Sequence, residues 1–245
     1  MIQFKKKTTC KLCDRKKKLQ KSHIIPEFVY RSLYDEKHKF HVLSKSGKLP
    51  PKQKGIYEKL LCVECEQQLS VYEKYAREML IGGEQISYRQ HGKLICLFGL
   101  DYHKFKLFML SILWRSSISE DKFFSHVQLG KYHENKIKQL IKNDNPGDSF
   151  DYPCVIFGLS DEEKTHSSVI VQPIRSRIQG HIVYRFVFSR FVWVYYVSSH
   201  QLPPSLSDVV IGENGNMSIT LKSFNNLAEV EQILGRLEKF PSLIN

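Results

Sequence analysis

Apolar residues recur along this chain at two different spacings, and the spacing changes with position. From Glu66 to Leu80, Leu69, Tyr72, Ala76, Met79 and Leu80 fall at near-helical intervals that stop at Gly82-Gly83, predicting a helix with a glycine end. Lys104 to Ser117 carries Phe105, Phe108, Met109, Ile112 and Leu113 on one helical stripe, and Tyr132 to Lys142 reads as a charged amphipathic helix. Further on the period shortens. Pro153 to Leu159, Ser167 to Pro173 and Ile182 to Phe188, the last continuing into Phe191 to Ser198, are runs rich in β-branched and aromatic residues. They predict an antiparallel sheet. A final helix, Leu227 to Phe240, has Leu227, Val230, Leu234 and Leu237 on one side and is expected to pack on that sheet. Near the N-terminus, Leu19 to Ile25 reads as extended and Glu27 to Leu33 as a short helix after Pro26. From Asp35 to about Lys59 the turn signals Ser46-Gly47 and Pro50-Pro51 predict a loop-rich insert. The fold class is α+β.

At 245 residues and 42% apolar content the chain can bury a sizeable core. Length and composition allow one domain or two. The longest apolar runs, such as Phe186 to Val197, are broken by Arg190 and too short to cross a bilayer, so no membrane partner is expected. Met1 to Lys7 is basic, but no apolar segment follows it, which argues against a secretory signal and for a cytoplasmic protein. In that compartment, paired cysteines read as metal ligands before they read as disulfides. Cys10-Lys11-Leu12-Cys13 and Cys62-Val63-Glu64-Cys65 each offer two thiolates, and four sulfurs around one structural zinc is the usual outcome of two such units. The 48 residues between Cys13 and Cys62 exceed compact-finger spacing, so a small subdomain must sit between the knuckles. Cys96 and Cys154 lie in apolar stretches and are expected to be buried thiols without chemistry.

The charge is unevenly spread. Residues 1–60 carry 17 Lys/Arg against 5 Asp/Glu, while residues 61–245 carry 20 of each, so the whole net charge of +12 lies in the first quarter. Lys16, Lys17, Lys18 and Lys21 follow the first knuckle, and Lys52 and Lys54 precede the second. A cationic face there predicts salt-sensitive, sequence-tolerant affinity for a phosphate backbone. Arg115, Arg175, Arg177, Arg185 and Arg190 are read as surface residues, and Trp114 and Trp193 as core.

His23 is the histidine that falls on an extended segment between the two knuckles. An imidazole neutral near pH 7 is suited to taking a proton from water. His38 and His41, in the insert, are weaker candidates. The order of a C-x2-C knuckle, Ser22-His23-Ile24-Ile25-Pro26, then Leu61-Cys62-x2-Cys65-Glu66 running into a helix resembles the HNH nucleases of the His-Me finger class, in their zinc-stabilised form. With Tyr72-Glu73 it resembles a bacterial group of such proteins, and Asp101 to Phe108, Leu113-Trp114-Arg115 and Val127 to Gly130 have the look of that group's C-terminal region.

The resemblance implies a zinc-bound ββα module over residues 1–90 in which His23 is the general base, followed over residues 91–245 by a larger helix-and-antiparallel-sheet domain that binds substrate or a protein partner. A divalent magnesium or manganese ion would be held beside His23 by the helix, where Glu66 stands in place of the usual His or Asn and Glu73 is an auxiliary ligand. Carboxylate oxygens suit those ions. The implied activity is metal-dependent phosphodiester hydrolysis of nucleic acid, DNA first, and a role in bacterial defence. Two departures bear on it: Ser22 stands where the family has Asp, and the Asn expected about five residues before Cys62 falls at Tyr57 or Glu58. The alternative is a catalytically degenerate, zinc-dependent nucleic-acid-binding or regulatory protein.

Overall fold

The computed structural model describes residues 8–31, 33–44, 47–83, 86–160 and 169–223. It is of mixed α+β architecture. The first knuckle lies between two short strands, β1 (Thr8–Thr9) and β2 (Lys16–Lys17), paired antiparallel. β3 (Leu19–His23) and the short helix α1 (Glu27–Arg31) follow. The expected loop-rich insert instead contains β4 (Phe40–Ser44) and β5 (Gly47–Lys52). β6 (Tyr57–Cys62) then runs without a break into α2 (Val63–Ile81), which ends at Gly82 with φ of 98°. A hairpin, β7 (Ser87–His91) and β8 (Leu94–Phe98), leads to α3 (Tyr102–Ile118) and α4 (Gly130–Lys142). The remaining strands are β9 (Cys154–Ser160), β10 (Val169–Ile178), β11 (His181–Phe188), β12 (Phe191–Val197) and β13 (Met217–Ser223). The helix expected over Leu227 to Phe240 lies outside the described residues.

Nine of these strands form one sheet in the order β5-β4-β10-β11-β12-β9-β13-β8-β7. Most neighbours are antiparallel, but β4 on β10 and β13 on β9 are parallel. β4, β5 and β7 come from the first part of the chain, and β7 spans residue 90. The continuous apolar runs of the central strands follow from burial on both faces. Along β12, Trp193, Tyr195 and Val197 point into one core while Val192, Val194 and Tyr196 point into another. The first core is filled by α3. The second is covered by Leu202, Leu206, Val209 and Val210 of the segment before β13.

Proline sits where a strand can spare a donor. Pro50 and Pro51 lie in β5, the edge strand, within a register shift between Phe40 and Val42 of β4. Pro173 lies in the bulge of β10, just past the stretch Val169–Val171 that pairs with β4. The run expected to continue from Phe188 into Phe191 is instead a tight hairpin, because Ser189 and Arg190 both take positive φ, 51° and 63°, as a two-residue type I′ turn requires.

α3 is the hub. Twelve of its residues are buried, from Phe105 to Ser116 without interruption, as expected of a helix that is apolar nearly all round. Asp101 caps it by accepting from the Lys104 N–H at 2.9 Å. α2 packs on α3 and on the antiparallel pair β3–β6, and α4 packs on α3 with its C-terminal end against α2, where Gln68 donates to Ile141 O at 2.7 Å. That arrangement brings β3, β6 and α2 together beside the knuckles.

Candidate functional site

The four knuckle cysteines converge. All are free thiols, and their sulfurs lie within 4.8 Å of one another, the sole such cluster of metal-ligating side chains among the described residues. Asp14, with φ of 62°, turns the first knuckle, and its N–H donates to the Cys10 carbonyl at 3.0 Å. The Lys11 N–H donates to Leu60 O at 2.9 Å and the Cys62 N–H to Cys10 Sγ at 3.3 Å, which fastens that knuckle to β6. Cys62 ends β6 and is the N-cap of α2, with Cys65 in the first turn. The Sγ atoms of Cys13 and Cys62 are 3.8 Å apart, far beyond the roughly 2.05 Å of a disulfide. That is the edge of a tetrahedron with metal–sulfur bonds of about 2.3 Å. Burial pushes the Cys62 thiol up to about 11 and the Cys65 thiol higher. Burial also opposes ionisation of Cys13, but the Arg15 backbone hydrogen bond and neighbouring thiols bring it below its usual value. Four sulfurs with this spacing, three of them on buried residues, can hold a metal ion, whose charge would offset what burial withholds from the thiolates.

Beside this cluster lies a polar group built on β3. Ser22 is fully buried; its hydroxyl accepts from the Leu61 N–H at 3.2 Å and donates to Glu66 Oε1. An Asp here would set two carboxylates against each other, so serine at 22 suits glutamate at 66. Burial raises the Glu66 carboxyl above its ordinary range, with the Ser22 bond and the Arg115 charge pulling it back. His23 presents Nε2 to Glu27 Oε2 at 3.0 Å, one turn ahead on α1. The Glu27 carboxyl can accept an N–H from Nε2, an arrangement that would leave the lone pair on Nδ1.

Arg115, expected on the surface, is 1% exposed and ties this group together. Its Nη1 donates to the His23 carbonyl at 2.7 Å, its Nη2 pairs with Glu73 Oε1 at 2.7 Å, and its Nε donates to Ser111 O at 3.2 Å. Glu73 is therefore engaged by Arg115. Glu58 also departs from expectation. It lies on the face of β6 away from His23, where its carboxylate accepts from the Ser119 hydroxyl and from the N–H groups of Glu120 and Asp121, at 3.1 and 3.2 Å. Tyr57 is the neighbour of His23: their rings meet edge to face with centroids 5.8 Å apart.

The six lysines do not form one row. Lys16, Lys18 and Lys21 are exposed on or beside β2 and β3, while Lys17 is ion-paired with Glu64. Lys52 ends β5 at the sheet edge, and Lys54 lies exposed in the turn before β6. Two further lysines reach the first knuckle from α4: Lys138 pairs with Asp14 at 2.6 Å and Lys142 at 3.9 Å. Among the described residues no helix is long and apolar enough to cross a membrane. No family model matches the chain, and neither a curated protein nor a solved structure matches it.

The roles of Arg115, Glu58 and Glu27 in these positions carry no direct sign in the sequence. The available signal for Arg115 was its setting, a cation inside the apolar stripe of a helix whose neighbours Leu113 and Trp114 are core residues. Such a residue demands a buried anion.

Proposed function

We propose that this chain is a metal-dependent nuclease of the HNH type, with the Cys10, Cys13, Cys62 and Cys65 sulfurs holding structural zinc. The observation that carries this reading is the hydrogen bond from Ser22, next to His23 on β3, to Glu66 on α2, beside a strand–helix junction pinned by the four sulfurs. β3, β6 and α2 follow in chain order, with α1, β4 and β5 between the two strands, which supports reading them as the module's two strands and helix.

In this scheme Nδ1 of His23 accepts a proton from water as its oxygen attacks phosphorus and the bond to the leaving oxygen breaks. The leaving oxygen takes its proton from solvent. Glu27 holds the ring through Nε2, and Arg115 holds the strand through the His23 carbonyl. Magnesium is commonly bound by one or two carboxylates together with substrate phosphate and water. Glu66 fits that role with the oxygen not bonded to Ser22, whereas Glu73 is committed to Arg115. Such an ion supplies charge stabilisation at the scissile phosphate and leaving oxygen. The exposed lysines near β3 draw in the backbone of nucleic acid, DNA first, and the large sheet serves substrate or protein-partner binding.

The test is cleavage of plasmid DNA, single-stranded DNA and RNA with magnesium or manganese by wild type and His23→Ala, both checked for one zinc per chain. General-base loss costs roughly 10²- to 10⁴-fold, so the variant should be at least about 100-fold slower with zinc unchanged. Equal rates would remove His23 from the chemistry. A second reading, a zinc-dependent nucleic-acid binder without hydrolysis, is favoured by Ser22 in place of an acidic residue and by the engagement of Glu73. It predicts salt-dependent binding by zinc-loaded wild type with no cleavage in either ion.

A further inference from the structure

The face of the β3–β6 pair that carries His23 also carries an exposed tyrosine among lysines. Strand alternation puts Lys21 and His23 on one face of β3, and the register Lys21↔Lys59 and His23↔Tyr57 puts Lys59 and Tyr57 on the same face of β6. The opposite face holds buried Ser22 and the committed carboxylate of Glu58. Tyr57 is 39% exposed, unusual for so large a ring in a paired strand. The Lys21 ammonium lies over its ring, 5.0 Å from the centroid, and the His23 edge meets it from the side. Lys59 is exposed one register step away, and Lys54 precedes the strand.

The geometry points to Tyr57 as a stacking platform for an unpaired base, so that the substrate of this site is single-stranded or locally unpaired nucleic acid. An aromatic face flanked by cations is what sequence-tolerant single-strand binders use: the ring takes a base of any identity, and the cations take the phosphates on either side. A paired base inside a duplex has no free face to offer Tyr57. With the base on Tyr57, the neighbouring phosphate falls beside His23 on the same face. The platform thus deepens the nuclease reading by naming its substrate class, and it rests on that reading only for the use of His23.

The test is binding of the full chain, by fluorescence anisotropy without added magnesium or manganese, to a labelled single strand and to the duplex of the same sequence. Wild type, Tyr57→Ala and Tyr57→Phe are compared at matched zinc content. Losing one stacking contact should weaken single-strand binding about tenfold in Tyr57→Ala, leave duplex binding unchanged, and spare both in Tyr57→Phe. Equal loss on both probes, no loss on either, a Tyr57→Phe as weak as Tyr57→Ala, or wild type that does not bind the single strand would overturn the proposal. Selective loss without any cleavage in the separate assay would leave the platform standing and remove the hydrolysis. Cleavage without selective loss would do the reverse.

Discussion

Arg115 carries a full charge to a position 1% exposed and is held there by Glu73, Ser111 and the His23 carbonyl. Breaking a buried ion pair from one side leaves the other charge without its partner, which typically costs about 3–5 kcal/mol. Arg115→Ala should therefore lower the denaturant midpoint by an amount of that order, while Glu73→Gln, which keeps a hydrogen-bond acceptor, should cost less. Equal and small losses in both would place the pair at the margin of the fold. Lys106, also on α3, is 1% exposed and donates to Ser149 O at 3.1 Å. Burial lowers its ammonium to about 8, against the pull of Cys154, Asp151 and Asp148. The unfolded chain keeps this proton up to about 10.5. Between those values unfolding takes up a proton, so this group makes stability rise with pH. Below about pH 8 both states are charged and the full desolvation cost stands. Lys106→Met should thus be the more stable protein at pH 7, by up to roughly 3 kcal/mol, and its advantage should shrink as pH rises from 8 to 10.5. Urea unfolding across that range checks it, and a constant difference would remove the titration from the explanation. In the sequence, burial of either was signalled only by its setting among the apolar residues of α3. Polarity alone assigns Lys and Arg to the surface, and their contacts with Glu73 and Ser149, 42 and 43 residues away along the chain, reverse that.

At the scale of elements, the junction of β6 and α2 is where sequence and structure agree most closely. Cys62-x2-Cys65 fixes a turn of helix by its own spacing, so both the metal-ligating group and the helix after it were readable from local pattern. β4 and β5 were not, because Ser46-Gly47 and Pro50-Pro51 read as breakers; a proline pair in an edge strand costs no ladder bond, and edge position is a property of the sheet. The same logic explains the break at Ser189-Arg190, where two non-glycine residues accept positive φ without a turn signal in the sequence. Since Cys10, Cys13, Cys62 and Cys65 join β1, β2 and β6 to α2, removing one ligand should loosen all four elements together. Cys65→Ser is expected to lower bound zinc from one per chain towards zero, measured by atomic emission. It should also lower the thermal midpoint by several degrees, at about 2–4 °C per kcal/mol for a chain of this size. A variant that lost zinc but kept its midpoint would make the metal dispensable to the fold.

On the scale of the molecule, the residues near His23 depend on parts of the chain far away in sequence. β4 is hydrogen-bonded to β10, with Val42 opposite Ile170. β8 depends on β13. α2 rests on α3, which also supplies Arg115 to the His23 strand. One apolar cluster runs continuously from Cys10 through Leu69, Leu113 and Trp193 to Ile219. Charge tells a different story, since all of the net +12 lies in residues 1–60. Electrostatic character follows the sequence order, while burial follows the sheet. A fragment of residues 1–90 would keep the four cysteines, His23, Glu66 and every lysine of the first quarter, but it would expose the edge of β4 that β10 pairs and the face of α2 that α3 covers. It is expected to bind zinc and nucleic acid weakly and to unfold without a cooperative transition, whereas the full chain should show a single one. Thermal unfolding followed by circular dichroism, with amide dispersion in a proton spectrum of each, decides this. A sharp transition and dispersed amides in the fragment would mean that the four-cysteine cluster and the β3–β6–α2 unit hold themselves together, and that the sheet is an addition to the site rather than its support.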